Sequence, residues 1–81
     1  MQTIHLFGDN SKPEIIENII RKNFGPGIVV DVANQAIIKR NIIEYNEIGI
    51  ITKSSNCSIL WNRINKNIYD GIKSILIKNY S

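Results

Sequence analysis

The chain has 81 residues, 43% of them hydrophobic, and ten Lys and Arg against seven Asp and Glu give it a formal net charge of +3. That length holds one small domain with a thin core and excludes a second. No run reaches the roughly 18 apolar residues of a membrane span, no basic-then-apolar leader opens the sequence, and the one cysteine forms neither an internal disulfide nor a Cys-based zinc site.

A reducing, cytoplasmic setting is therefore the expectation, with no membrane partner. Nineteen isoleucines stand against three leucines, beside eleven asparagines and seven lysines. A/T-rich codons produce that bias, so it reads as the mark of a low-GC bacterial or phage genome, and the asparagines receive no functional weight. Charge is uneven: residues 1–51 carry five basic and six acidic side chains, residues 52–81 five basic and one acidic.

Thr3–Phe7 (TIHLF) is rich in β-formers and predicts a first strand, ended by the turn cluster Gly8-Asp9-Asn10. Ser11-Lys12-Pro13-Glu14 matches a capping box with proline in the first turn. Ile15, Ile16, Ile19, Ile20 and Phe24 then recur at helical spacing opposite Glu17, Arg21 and Lys22, and Gly25-Pro26 predicts the helix end. Gly27–Ala33 predicts a second strand, buried on both faces.

From Asn34 to Glu47 strict alternation fails. Ile37, Ile38, Ile42, Tyr45 and Ile48 share one arc of a helical wheel, and Lys39, Arg40, Glu44, Asn46 and Glu47 take the other side. A helix is the expectation. β-branched isoleucine keeps a strand pair, and with it an α+β fold, as the alternative. Ile48–Thr52 predicts a third strand. From Asn56 to about Asn79 a long helix is expected, with Cys57, Leu60, Trp61, Ile64, Ile68, Ile72 and Ile75 on one face and Arg63, Lys66, Asp70, Lys73 and Lys78 on the other. No internal repeat, linker or low-complexity segment is apparent.

This order predicts a single α/β domain over residues 1–81, β-α-β-α-β-α, with a three-stranded parallel sheet joined by right-handed crossovers. Both faces of the strands are apolar, which favours strand order 2-1-3, or a homodimer that hides the second face.

In such a sheet, ligands bind where strand order reverses. That places a candidate ligand rim at Asp9, Asn10, Ser11, Lys53, Ser54, Ser55 and Asn56, where a helix N-terminus and Lys53 would attract an anion. Ser, Asn and Asp are equally the preferred helix caps, and no glycine-rich phosphate loop is present. Cys57 with His5 is the enzymatic idea, outweighed because Cys57 falls on an apolar face and no third group orients the pair. Asp9 and Asp31 both end strands and suggest a carboxylate pair, although a turn residue and a strand-end charge explain them as well. Arg63, Lys66, Lys73 and Lys78, with Tyr69 and Tyr80, suggest phosphate tracking, but the spacing is loose and a solvated helix face accounts for it.

The functional expectation is a non-catalytic protein-binding domain: a small inhibitor, immunity or antitoxin-like protein, or an accessory subunit. No catalytic residue, metal or cofactor is assigned. The partner is another protein (a toxin, an enzyme or a larger subunit), and Tyr45, Trp61, Tyr69, Arg63 and Lys66 are the expected interface. Binding of a phosphate-bearing ligand or nucleic acid through Lys53–Asn56 and the basic C-terminal helix is the second choice.

Overall fold

The computed structural model describes residues 2–7, 12–31, 35–54 and 56–75. Within them every regular element is a short strand: β1 (Ile4–Leu6), β2 (Glu14–Ile16), β3 (Ile19–Arg21), β4 (Pro26–Val30), β5 (Ile37–Lys39), β6 (Ile42–Glu44), β7 (Ile48–Thr52), β8 (Ser58–Leu60), β9 (Arg63–Asn65) and β10 (Asp70–Ser74). The strands form three sheets: A, ordered β1-β4-β7-β10; B, β2-β5-β8; and C, β3-β6-β9. All pairings are parallel.

Each turn of chain thus contributes one strand to B, then C, then A, and the next turn stacks beneath it. Coil 1 is β2–β4, coil 2 is β5–β7 and coil 3 is β8–β10, with β1 supplying the sheet A strand of a coil above. Successive coils lie about 4.8 Å apart, the hydrogen-bonded strand spacing.

A three-residue strand turns only its central residue fully inward. In sheet B these are Ile15, Ile38 and Ile59, and in sheet C Ile20, Ile43 and Ile64, in direct register. Sheet A adds Ile28, Val30 and Ile50. Ile28, Val30, Ile38, Ile43 and Ile50 are wholly buried, so the coil interior is filled by stacked branched side chains. Isoleucine suits this, because its β-branch fits a pleated surface and like shapes stack closely.

Two columns of asparagine occupy the corners on either side of sheet C. Asn18, Asn41 and Asn62 form one, Asn23, Asn46 and Asn67 the other. The Asn41 N–H donates to Asn62 Oδ1 at 2.9 Å and the Asn18 N–H to Asn41 Oδ1 at 2.9 Å. The Asn46 N–H donates to Asn67 Oδ1 at 3.0 Å and the Asn23 N–H to Asn46 Oδ1 at 3.2 Å. The amide nitrogens reach the other way: Asn41 Nδ2 donates to the Ile15 carbonyl at 2.9 Å and Asn46 Nδ2 to that of Ile20 at 3.2 Å. At each corner the chain leaves its ladder, and the side chain replaces the backbone partner that the turn takes away.

The residue before each asparagine adopts a left-handed backbone: Glu17, Arg40 and Trp61 at one corner, Lys22, Tyr45 and Lys66 at the other, with φ between 54° and 60°. The glycines do a different job. A Cβ at Gly27 would lie 2.7 Å from the Gly49 carbonyl oxygen, and one at Gly49 would strike the carbonyl oxygen of Gly71. The three sit in one column where adjacent coils approach too closely for a side chain.

The expected α/β architecture is corrected by this arrangement. The segments read as strands at Thr3–Phe7, Gly27–Ala33 and Ile48–Thr52 do overlap β1, β4 and β7, side by side and parallel, but in order 1-2-3 with β10 added, not 2-1-3. The helix expected from the Ser11 cap to Phe24 is β2 and β3. That expected over 34–47 is β5 and β6, strands as the alternative had it but in different sheets and not paired with each other; with no helix among the described residues, the α+β fold fails as well. The long helix from Asn56 is β8, β9 and β10. The physical reason lies in the corner. One left-handed residue and one asparagine separate the strands, so inward isoleucines recur five residues apart, and doublets such as Ile15-Ile16 and Ile19-Ile20 imitate a helical stripe. The chain is also a repeat, with N-x4-N recurring at Asn18, Asn41 and Asn62.

Removing the Asn46 side chain strands the buried Asn23 N–H and Ile20 carbonyl in the centre of the stack. Asn46→Ala is expected to destabilise the protein by about 3–5 kcal/mol, since each orphaned buried group costs about 1–3 kcal/mol. Asn56→Ala, at an exposed position, is expected to stay within about 0.5 kcal/mol. Urea unfolding of the two variants checks both.

Candidate binding face

Sheet C presents a flat outer surface bordered by the two left-handed corner columns. The columns stand five positions apart along each coil, so the face spans roughly 16 Å across and 10 Å down its three coils. On its strands the outward side chains are Ile19, Ile42 and Arg63 in one row and Arg21, Glu44 and Asn65 in the other.

The left-handed backbone throws the corner side chains clear of the coil. Trp61 is 72% exposed and Tyr45 50% exposed. The Arg40 guanidinium lies 5.5 Å from the Trp61 ring centroid, and Lys66 Nζ lies 5.6 Å from that of Tyr45. Both are cation–π contacts across adjacent coils, worth about 0.5–1 kcal/mol at exposed sites. Arg40 Nη1 also stands 3.9 Å from Glu17 Oε1, an exposed pair of small energetic value. With Arg21, Lys22, Arg40, Arg63 and Lys66 against Glu17 and Glu44, the face is net basic.

Four of the five residues expected at an interface therefore converge: Tyr45, Trp61, Arg63 and Lys66. Tyr69 stands just beyond, in the turn leading to β10, where its N–H donates to the Glu47 carbonyl at 2.9 Å. The basic stripe expected on a C-terminal helix does not form. Arg63 and Lys66 border sheet C, Lys73 lies in β10 of sheet A, and Lys78 and Tyr80 fall outside the described residues.

The expected ligand rim also changes character. Asp9, Asn10, Ser11 and Ser55 lie outside the described residues. Lys53, Ser54 and Asn56 belong to the turn from β7 to β8, so no helix N-terminus is there to attract an anion. Ser54 is buried, its N–H donating to Thr52 Oγ1 at 3.1 Å, and its own Oγ accepts the Asn56 N–H at 3.1 Å. Lys53 Nζ stands 3.8 Å from Asp31 Oδ1, whose other oxygen lies 3.2 Å from His5 Nε2. These three residues join three successive levels of the stack through partly exposed polar contacts, the one between Lys53 and Asp31 an ion pair. Asp31 thus faces His5 and Lys53, and Cys57 faces Thr52 Oγ1 at 3.2 Å, well apart from His5 in its bonding. Among the described residues no group of three or more His, Cys, Asp or Glu is placed to hold a metal ion.

Reasoning from the sequence missed both asparagine columns, Arg40 and the corner role of Tyr45 and Trp61. The signal was present as N-x4-N followed three or four residues later by glycine, at Asn18-Asn23-Gly27, Asn41-Asn46-Gly49 and Asn62-Asn67-Gly71.

Short parallel strands, three sheets and stacked corner asparagines define a parallel β-solenoid. A family model described as a right handed beta helix region matches residues 1–80, and the chain belongs to that family. Neither the curated proteins nor the solved structures contain a match to it. The expectation of a small α/β domain is overturned by this membership, and nothing in the comparisons supports an inhibitor or immunity protein. No helix among the described residues is long and apolar enough to cross a membrane.

Trp61 is the only tryptophan, so its emission reports the face directly. Exposed beside Arg40 and Arg63, it is expected to be quenched more strongly by iodide than by caesium. Arg40→Gln with Arg63→Gln is expected to narrow that difference, which a pair of Stern–Volmer titrations measures.

Proposed function

We propose that this chain is a non-catalytic binding module that docks a partner protein on the outer face of sheet C. One observation carries the reading: a tryptophan, with an exposed ring, stands at a corner where the backbone is left-handed. A bulky residue there is an outlier with a cost of order 1–2 kcal/mol, and such outliers gather at functional positions. Tyr45 repeats the placement at the other corner, one coil above Lys66.

Large aromatic rings and arginine are the side chains that dominate interface energetics, because they bring contact area with little loss of freedom. The face is the size of a hot-spot cluster, and the exposed Leu60, Ile68 and Tyr69 around it extend the surface a partner would need. Its net basic character fits an acidic partner surface. The packed coil interior directs binding to the outside of the molecule. An unpaired Cys57 goes with a reducing, cytoplasmic setting.

A photo-crosslinking residue at position 61 is expected to trap a partner from the source cell, and the same residue at position 56 is not. Trp61→Gly separates fold from function. Glycine relieves the left-handed backbone, so stability is expected to hold within about 1 kcal/mol, while partner capture is lost. Equal capture by Trp61→Gly and the unaltered chain, or no capture from position 61, would discard the proposal.

A further inference from the structure

We propose that the outer face of sheet A is a self-association surface, on which two copies of this chain pack across a two-fold axis with their solenoid axes antiparallel. The face lies on a different side of the coil from sheet C. Alternation along the sheet A strands turns Ile28, Val30 and Ile50 inward, where they are wholly buried, and the residues between them outward. In strict register the first outward column is His5, Val29, Ile51 and Lys73. The amides of Asp31, Lys53 and Ile75 continue the ladder to the carbonyls of Leu6, Val30 and Thr52, so the second column is Phe7, Asp31, Lys53 and Ile75. Contacts across the face show the shared direction. The His5 and Phe7 ring centroids are 4.0 Å apart, and Asp31 reaches both His5 at 3.2 Å and Lys53 at 3.8 Å.

Down the stack the first column runs polar, apolar, apolar, polar. The second runs apolar, acidic, basic, apolar. A two-fold axis along the strand direction, between the levels of Val29 and Ile51, reverses the levels and leaves each column facing its own copy. Val29 then meets the partner's Ile51, and the exposed Phe7 meets the partner's exposed Ile75. Asp31 meets the partner's Lys53, and Lys53 the partner's Asp31. Together with the Asp31–Lys53 pair inside each chain, four charges of alternating sign close a ring. At the rim His5 meets the partner's Lys73, where a neutral imidazole accepts from an ammonium.

The charge order decides the orientation. The other two-fold arrangement, with solenoid axes parallel, would set each column against the opposite one: Val29 against the partner's Asp31 and Ile51 against the partner's Lys53. That covers two charges with apolar side chains and gives neither a new partner. An isologous contact needs one patch complementary to itself, and only the antiparallel arrangement supplies it. Two columns of four levels cover roughly 14 Å by 10 Å, less than a standard interface, so the dimer is a weak one.

Sedimentation equilibrium of the full chain at up to about 1 mM tests this, a range suited to weak contacts. A monomer–dimer equilibrium is expected, weakened at least about tenfold by Asp31→Lys and by Lys53→Asp, each of which sets like charges opposite one another. Mixed in equal amounts, the two variants are expected to form a heterodimer about tenfold tighter than either homodimer, because each introduced charge then faces its opposite. Both positions are partly exposed, and circular dichroism of each variant alone checks its fold. Should either fail to fold, Asp31→Asn with Lys53→Gln keeps size and shape and is expected to weaken the dimer about fivefold. A chain that stays monomeric throughout the range, association indifferent to these substitutions, or a mixture no tighter than its parts would each overturn the proposal. Trp61→Gly is expected to leave the dimer unchanged, which keeps this test independent of the sheet C face.

Discussion

The registration of one coil on the next rests on buried amides. Stacked isoleucines hold the coils together, but apolar contact is non-directional and tolerates a slip along the strand. An asparagine at the corner does not. It must meet a donor and an acceptor of the neighbouring coil at once, and a slip by one residue would bury both unpaired. Asn41 and Asn46 are at most 1% exposed, so water cannot substitute. Aspartate in the same column would lose the donor and set like charges about 5 Å apart. Buried polar groups that specify register are a known use of such costly placements. Here the specification is repeated on both sides of sheet C.

Much of the physical character of the chain was legible in its residues, and its architecture was not. The runs at Thr3–Phe7, Gly27–Ala33 and Ile48–Thr52 read as strands because they are dense in β-formers, and β1, β4 and β7, which overlap them, are neighbours in one parallel sheet. The three-residue strands escaped recognition for a geometric reason. Period-two alternation needs at least four or five residues to show, and a corner after every third residue resets its phase. Ile15, Ile16, Ile19 and Ile20 consequently fit a helical wheel by accident of the corner length. Glu14 opens a strand where a capping box was expected. The asparagines were discounted as codon bias, although six of them carry the fold. As for the face, Tyr45, Trp61, Arg63 and Lys66 were expected at an interface on two helices that do not form. They border one face because the corners and strands of successive coils stack.

The corner columns connect fold to function. Across three coils, six large side chains occupy left-handed positions, and among the described residues no glycine or asparagine takes that conformation. The adjacent asparagine holds the turn, so the preceding side chain contributes only exposed contacts with its column neighbours, such as Arg40 with Trp61 and Lys66 with Tyr45. Down these columns run charge, charge and ring at Glu17, Arg40 and Trp61, and charge, ring and charge at Lys22, Tyr45 and Lys66. The backbone shape is the same at each level, and the chemistry it displays is different.

The column bonds join residues 21 to 26 positions apart in the chain, and none of the three sheets contains a hairpin. No pair of adjacent segments can therefore form a stable nucleus alone. One whole winding must be closed before the first amide bridge is made, and the entropy of closing it comes first. A chain built this way gains its first contacts late, once neighbouring windings meet, and the rest of the stack then adds by growth along its axis.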